Sequence, residues 1–446
     1  MHSAPRPVLV AVSLVLSLIL AIASAQAQGL RLIRDAEIES YLHAMCEPLF
    51  RAAGLSPASI DIYLVEDNAS NAFVAGGQNI FIHTGLLMQV QSAGELLGVL
   101  AHETGHIAGG HLAMSIDQME RTEALAIISM LAGGAAAAAS GRGDVAAGTM
   151  LSGQSMAERT LLAYSRNMEG TADQAALNYL DGVGYSAEGL LAYLSRIVDE
   201  ELLPASRQSE YVRTHPISYD RLEQVRRHVE SSANTGRPLP GYIEDQFQRL
   251  RAKLIGYENP ALALNLYGGD TSIYARYAQA IAHYRRGDVS TALSLVDGLV
   301  STEPNNGYFW ELLGDIRFDY GQIAEARQAY ERAHALLPGA GLIRIALART
   351  LMESDNAGDL AQAIRLLEGL TQTGQEASPF TFRLLGTAYG RNGDMGLAAL
   401  ALAEEAIRQG DRTTAMQQAQ RAIDLLPSGT PGAIRAQDLM RDAERQ

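Results

Sequence analysis

Residues 101–111 read AHETGHIAGGH, and the residue types in this stretch can do chemistry together. An α-helix turns about 100° per residue, so His102 and His106 share one face and can grip a single metal ion, with Glu103 beside that face. This is the H-E-x-x-H pattern, in which neutral imidazoles hold zinc and the glutamate takes a proton from the water that the ion acidifies. A helix carrying two solvated histidines is the plainer alternative.

Zinc in a catalytic site wants a third protein ligand and one position left for water. His111 is the nearest candidate. The metzincin spacing H-E-x-x-H-x-x-G-x-x-H is met at Gly109, but its last histidine falls at position 112, where the chain has Leu112. On a continuing helix His111 would also point about 140° away from His106. Glu169, in SRNMEGTADQAA, is the better candidate. Asp173 lies four residues on, so both carboxylates share a face of a second helix, and an aspartate there can orient a zinc histidine through its free ring nitrogen.

Other elements must position these groups. Ser92 and Glu95 form an S-x-x-E capping box ahead of Leu96, Leu97, Val99 and Leu100, and Gly109-Gly110 supplies a stop. The spacing predicts a buried helix whose last turns carry His102 and His106. Upstream, residues 29 to about 60 read as a helix with a turn at Gly54 to Pro57, and IDIYLVED (60–67) alternates as a strand does. Residues 71–87 read as two short strands around Gly76-Gly77. Residues 203–245, with several prolines and glycines, read as a connector.

A repeat begins beyond about residue 270. Pro304 and Pro338 stand 34 apart, the period of tetratricopeptide helix pairs, and 307–340 fits that signature at Trp310, Leu313, Gly314, Gly321, Ala326, Tyr330 and Ala333. Phe382 to Ala398 and Gly410 to Pro427 give further copies; Leu347 to Leu370 matches only with an insertion near Asn356. Four to five pairs would stack into a solenoid whose concave face binds extended or exposed protein segments, or would serve for dimerisation.

The 446 residues are 47% hydrophobic and 19% charged, enough for two or three domains with real cores. A net charge of −15 argues against a nucleic-acid partner. The first 28 residues run from a short basic start through an apolar stretch to small-residue sites around Ala25 and Ala27, as a secretory signal does. An uncleaved membrane anchor is the alternative, although the apolar run is short for a span. Cys46 is the sole cysteine, which leaves no internal disulfide and reads as a small core residue. LAIISMLAGGAAAAASGRGDVAAGTML, within 117–165, reads as a mobile helical hairpin or lid beside the site, with contact to a membrane surface as the lesser option.

The combination of His102-Glu103-Thr104-Gly105-His106, Glu169-Gly170-Thr171-Ala172-Asp173 and HPISYDR from His215 resembles the M48 zinc metalloproteases. With an export signal and repeats, the likeness is to exported, repeat-bearing members of that family. It implies a chain that is mainly α with a small β-sheet: a signal peptide (1–27), a gluzincin-type metalloprotease domain (28–235), a connector (236–270) and a tetratricopeptide α-solenoid (271–446). It further implies one zinc ion per chain held by His102, His106 and Glu169, with Glu103 as base and Asp173 orienting a ligand. Asn71, in NAF, would bind substrate backbone beside a strand around Asn79 to His83 that offers its edge. His215 would sit near the metal, either stabilising the oxyanion or filling the open position. A turn role for Asn71 and a loop role for His215 are the alternatives, and Arg221 is expected to make a structural ion pair. The implied activity is that of a periplasmic endopeptidase in the quality control and assembly of outer-membrane β-barrel proteins. Its partners would be stalled or misfolded outer-membrane proteins and their assembly machinery. A reading from another class is a chaperone or assembly factor whose repeats bind clients while the zinc site stays latent.

Overall fold

The computed structural model describes residues 31–114, 166–354, 356–374 and 376–445. The expected signal peptide and the alanine-rich lid lie outside the described residues. The chain divides into two compact units, one of residues up to Ile33 with Leu49–Gly236, the other of Arg34–Pro48 with Arg237–Gln446. Residues 34–48 thus pack in the same unit as the repeats.

The first unit holds a four-stranded sheet: β1 (Leu32–Ile33), β2 (Ile62–Val65), β3 (Ala72–Ala75) and β4 (Asn79–His83), in the order β1-β2-β4-β3. The turn between β3 and β4 falls on Gly76 and Gly77, whose φ of +58° and +100° other residues rarely adopt, and so closes the expected hairpin. β4 pairs with β2 in parallel and with β3 in antiparallel fashion. Asn79 to His83 therefore offers no edge, contrary to the sequence expectation: a period-two pattern reveals a strand but not its neighbours. The free edge beside the site is β3. The backbone carbonyl of Asn71 accepts from His83 N at 3.0 Å, and this register turns the N–H and C=O of Ala72 and Val74 outward.

α1 (Ala36–Ala52) precedes the hairpin, and α2 (Thr84–Gln89) and α3 (Ala93–Ala108) follow it. At the start of α3 the Ser92 hydroxyl accepts from Glu95 N at 3.2 Å, and the Glu95 carboxylate takes Gln91 N at 2.9 Å. The box thus reaches back one residue further than the usual motif. Arg196 clamps the same carboxylate with two hydrogen bonds of 2.7 Å. Leu96, Leu97, Val99 and Leu100 are buried, each contributing about 2 kcal/mol by leaving water. A second helix, α4, occupies 166–183, followed by α5 (Glu188–Ile197), α6 (Glu210–Thr214) and α7 (Tyr219–Ser231). The stretch 203–245 is therefore no simple connector. Ser209 and Ser218 cap α6 and α7, and Leu222, Val225 and Val229 bury one face of α7 at helical spacing. Its prolines and glycines punctuate helices rather than prevent them.

The second unit begins with α8 (Gly241–Glu258) and α9 (Pro260–Tyr267), which replace the expected connector at 236–270. Ile243, Phe247, Leu250 and Leu254 are buried along α8, giving it a core face of its own. Five helix pairs follow among the described residues: α10 and α11 (Ile273–Arg285, Val289–Thr302), α12 and α13 (Gly307–Asp319, Ile323–Leu336), α14 and α15 (Gly341–Met352, Ala357–Thr373), α16 and α17 (Pro379–Asn392, Met395–Arg408), α18 and α19 (Arg412–Leu425, Pro431–Arg445). The first helices of the first three pairs start 34 residues apart, and each partner starts 16 later. The third pair keeps this register across Asn356, so the extra residues fall after α15, around Gly374, and not at the expected place. Within the second pair a Cβ on Gly314 would come within 2.7 Å of the Tyr330 ring, which is why that position is empty of side chain. Residues 34–48 are held in this unit by Lys253, whose Nζ lies 2.8 Å from Asp35 and 3.2 Å from Glu37, and by Tyr41 edge-on to Tyr308. Cys46 is buried, as expected. No helix among the described residues is long and apolar enough to cross a membrane.

Candidate metal centre

The last turns of α3 bring His102 Nε2 and His106 Nε2 within 3.0 Å of each other. Glu169, on α4, places Oε2 3.2 Å from the first and Oε1 3.3 Å from the second. His215, the residue that ends α6, adds Nδ1 at 3.4 Å from His102 Nε2 and 3.3 Å from Glu169 Oε2. Bonds of about 2.0 Å in a tetrahedral zinc site put donor atoms about 3.3 Å apart. These separations are close to that spacing, and the four side chains together offer ligand atoms that all lie within 4.8 Å of one another.

Hydrogen bonding also points the lone pairs inward. His102 Nδ1 lies 2.8 Å from Asp173 Oδ1, and an ionised carboxylate only accepts, so Nδ1 carries a hydrogen and Nε2 is the nitrogen an ion would take. His215 Nε2 donates to the backbone carbonyl of Ala72 at 3.1 Å, which turns Nδ1 toward the centre. His106 Nδ1 lies 3.0 Å from His111 Nδ1, and His111 Nε2 lies 3.2 Å from Thr171 Oγ1. The Thr171 hydroxyl gives its own hydrogen to Met168 O at 2.9 Å, so His111 donates to it and accepts from His106. All three inward nitrogens are thus assigned by their outer partners.

Two further residues assemble the set. A Cβ on Gly105 would stand 2.7 Å from Ala172 O, so the bare glycine lets α3 and α4 meet backbone to backbone. Arg221, on α7, donates to both oxygens of Asp173 at 2.6 and 2.9 Å and to Pro216 O at 2.7 Å, and lies 3.0 Å from Glu169 Oε2. It makes the structural ion pair anticipated for it, and it also ties the loop after His215 to the carboxylates.

The charges follow from this packing. Burial opposes a charged His102, yet its hydrogen bonds to Asp173 and Glu169 lift it to about 10 when no ion is bound. Burial takes His106 down to about 3. Asp173, in spite of burial, is held at about 2 by Arg221. Glu169 stays well below the usual carboxylate range in spite of burial, because His215, His102 and His106 face it. Burial raises Glu103, whose two oxygens have no hydrogen-bond partner; His215 Nε2 is 3.6 Å away. A buried carboxylate left so is costly, which fits a place prepared for water at the centre.

Asn71 is placed next to this cluster but buried. Its Oδ1 accepts from Thr214 Oγ1 at 3.2 Å, linking the head of β3 to α6. Sequence reasoning set His111 aside as a ligand and did not see it as the partner of His106. It also had no signal for the Ala72 carbonyl, which any residue could supply.

Residues 36–229 match peptidase family M48. This stretch is an M48 peptidase domain. With its histidine and glutamate cluster it makes the chain a metalloendopeptidase. The beta-barrel assembly-enhancing protease of Yersinia pestis is 25% identical over 351 residues, 76% of this chain and 70% of that protein. The protein of the same name from Escherichia coli (strain K12) is 24% identical over 315 residues, 68% of this chain and 63% of the relative. The mitochondrial metalloendopeptidase OMA1 of Schizosaccharomyces pombe is 26% identical over 189 residues, 42% of this chain and 51% of its own.

Proposed function

We propose that this chain is a zinc endopeptidase of the bacterial periplasm that acts on outer-membrane β-barrel proteins during their assembly. The observation that carries the reading is the group of ligand atoms on His102, His106, Glu169 and His215, all within 4.8 Å of one another, beside the unpartnered carboxylate of Glu103. The names of the relatives from Yersinia pestis and Escherichia coli support the substrate class. The apolar N-terminal stretch of the sequence supports export.

His102, His106 and Glu169 would hold one zinc ion. When bound, the ion would acidify a water and draw charge from the carbonyl under attack. Glu103 would take the proton from that water and pass it to the leaving amine. Asp173 and His111 would keep the two imidazoles turned inward, and Arg221 would keep Asp173 ionised. The outward N–H and C=O groups of β3, beginning beside Asn71, would hold a substrate segment in extended form. The repeats would supply the surface that receives protein clients.

His215 favours a second reading, in which the peptidase is latent and the repeats act as an assembly factor. Its Nδ1, 3.4 Å from His102 Nε2 and 3.3 Å from Glu169 Oε2, would then fill the position meant for water. The test is zinc content and casein cleavage in wild type, Glu103→Gln and His215→Ala. Zinc-bound wild type that cleaves, with Glu103→Gln zinc-bound and inert, supports the peptidase. Cleavage only after His215 is removed supports the latent form, and proteolysis retained by Glu103→Gln overturns the assignment of the base.

A further inference from the structure

We propose that the first unit carries a second cation site, formed by Asp67, His83 and Glu210, which takes a zinc-class dication. None of these residues belongs to the cluster described above. They come from the loop after β2, the end of β4 and the first turn of α6.

His83 provides the central observation. It is 2% exposed, and neither ring nitrogen has a hydrogen-bond partner. An imidazole buried with both nitrogens unsatisfied is costly, so a fold that retains one is expected to satisfy it by other means. The ring stands edge-on to Phe73, with 5.9 Å between centroids, which fixes its direction. Its Nδ1 points toward Glu210 Oε2 at 3.9 Å, too far for a hydrogen bond. One oxygen of Asp67 completes a group of ligand atoms that all lie within 4.8 Å of one another. Asp67 Oδ1 also accepts from Ala69 N at 2.8 Å.

Two carboxylates that lean toward a buried imidazole without touching it are arranged about a third body. One nitrogen and two carboxylate oxygens suit zinc or manganese better than calcium or magnesium, which prefer oxygen alone. The donors stand wider apart than the roughly 3.3 Å of bound zinc. Asp67 is exposed and the Glu210 side chain is 40% exposed, so both can close on the ion while His83 stays fixed. Water would complete the coordination. An ion here would tie the first turn of α6 to the sheet, and His215 caps the other end of α6.

The experiment is zinc titration of the metal-stripped full chain against a chromophoric zinc competitor, with thermal melting alongside. Wild type is expected to take up about two zinc ions per chain. His83→Gln and the double variant Asp67→Asn/Glu210→Gln should each lose one of the two and lose part of the zinc-dependent rise in Tm. Glu169→Gln should lose the other. If His83→Gln does not fold, the double variant decides, since its side chains are at least partly exposed. One zinc ion in wild type that persists in the His83 and double variants overturns this site and leaves the first intact. A wild type that keeps one ion, lost in the double variant but not in Glu169→Gln, supports this site and sinks the first.

Discussion

The rings of His111 and His106 meet nitrogen to nitrogen, with 3.0 Å between their Nδ1 atoms. His111 is therefore a positioning residue for its neighbour. Partners of this kind are worth about 10- to 100-fold in metal affinity. His111→Phe should weaken zinc binding by that factor, read by competition with a chelator, and Thr171→Val should weaken it less in the same direction. Unchanged affinity in both variants would mean that the relay does not hold the ring.

His215 offers a second outcome. His215→Ala should keep its zinc, since three ligands remain, and cleave casein several-fold faster than wild type. A fall in cleavage at unchanged zinc content would instead assign the ring to the oxyanion.

Zinc uptake should depend on pH. Without an ion His102 is raised from 6.5 to about 10, so it keeps its second proton through the neutral range. An ion needs that nitrogen bare, so binding expels the proton and affinity falls as pH falls, by roughly tenfold per unit below about 10. The same raised value gives the metal-free protein stability that is full below the unfolded pKa of 6.5 and is lost as pH rises through about 10. Proton release on zinc addition between pH 7 and 8 checks the first point; none released would contradict it.

Gly105→Ala tests the helix contact. In an ordinary helix interior this change stabilises by about 1 kcal/mol, but here the new methyl would meet Ala172 O at 2.7 Å. The expected result is a destabilisation of about 1–3 kcal/mol, seen as a lower Tm, together with weaker zinc binding because α4 carries Glu169 and Asp173. A stabilised variant with full zinc affinity would show that the helices can part freely.

Much of the fold could be read from the sequence because local periodicity carried it. The capping box at Ser92 and Glu95, the hairpin at Gly76-Gly77 and the 34-residue spacing of the repeats are all local signals. The four-residue spacings in α3 and α4 likewise put His102 with His106, and Glu169 with Asp173, on common faces. What failed depended on distant neighbours. His111 is not among the metal-ligand group, as the sequence expected, but its pairing with His106 across the break at Gly110, φ +63°, had no spacing signal. The order of the strands, which makes β3 the edge, depends on a parallel crossover that alternation does not record. α6 and α7 were hidden because their glycines and prolines lie at helix ends. His83, Asp67 and Glu210 are too far apart in sequence for any spacing to join them.

The carbonyl of Ala72 belongs to the open edge of β3, and His215 holds it at 3.1 Å. The other nitrogen of the same ring lies 3.4 Å from His102 Nε2 and 3.3 Å from Glu169 Oε2. A peptide strand that claimed Ala72 would thus pull the ring from both places at once. Docking of an extended segment and withdrawal of the ring would then be one event.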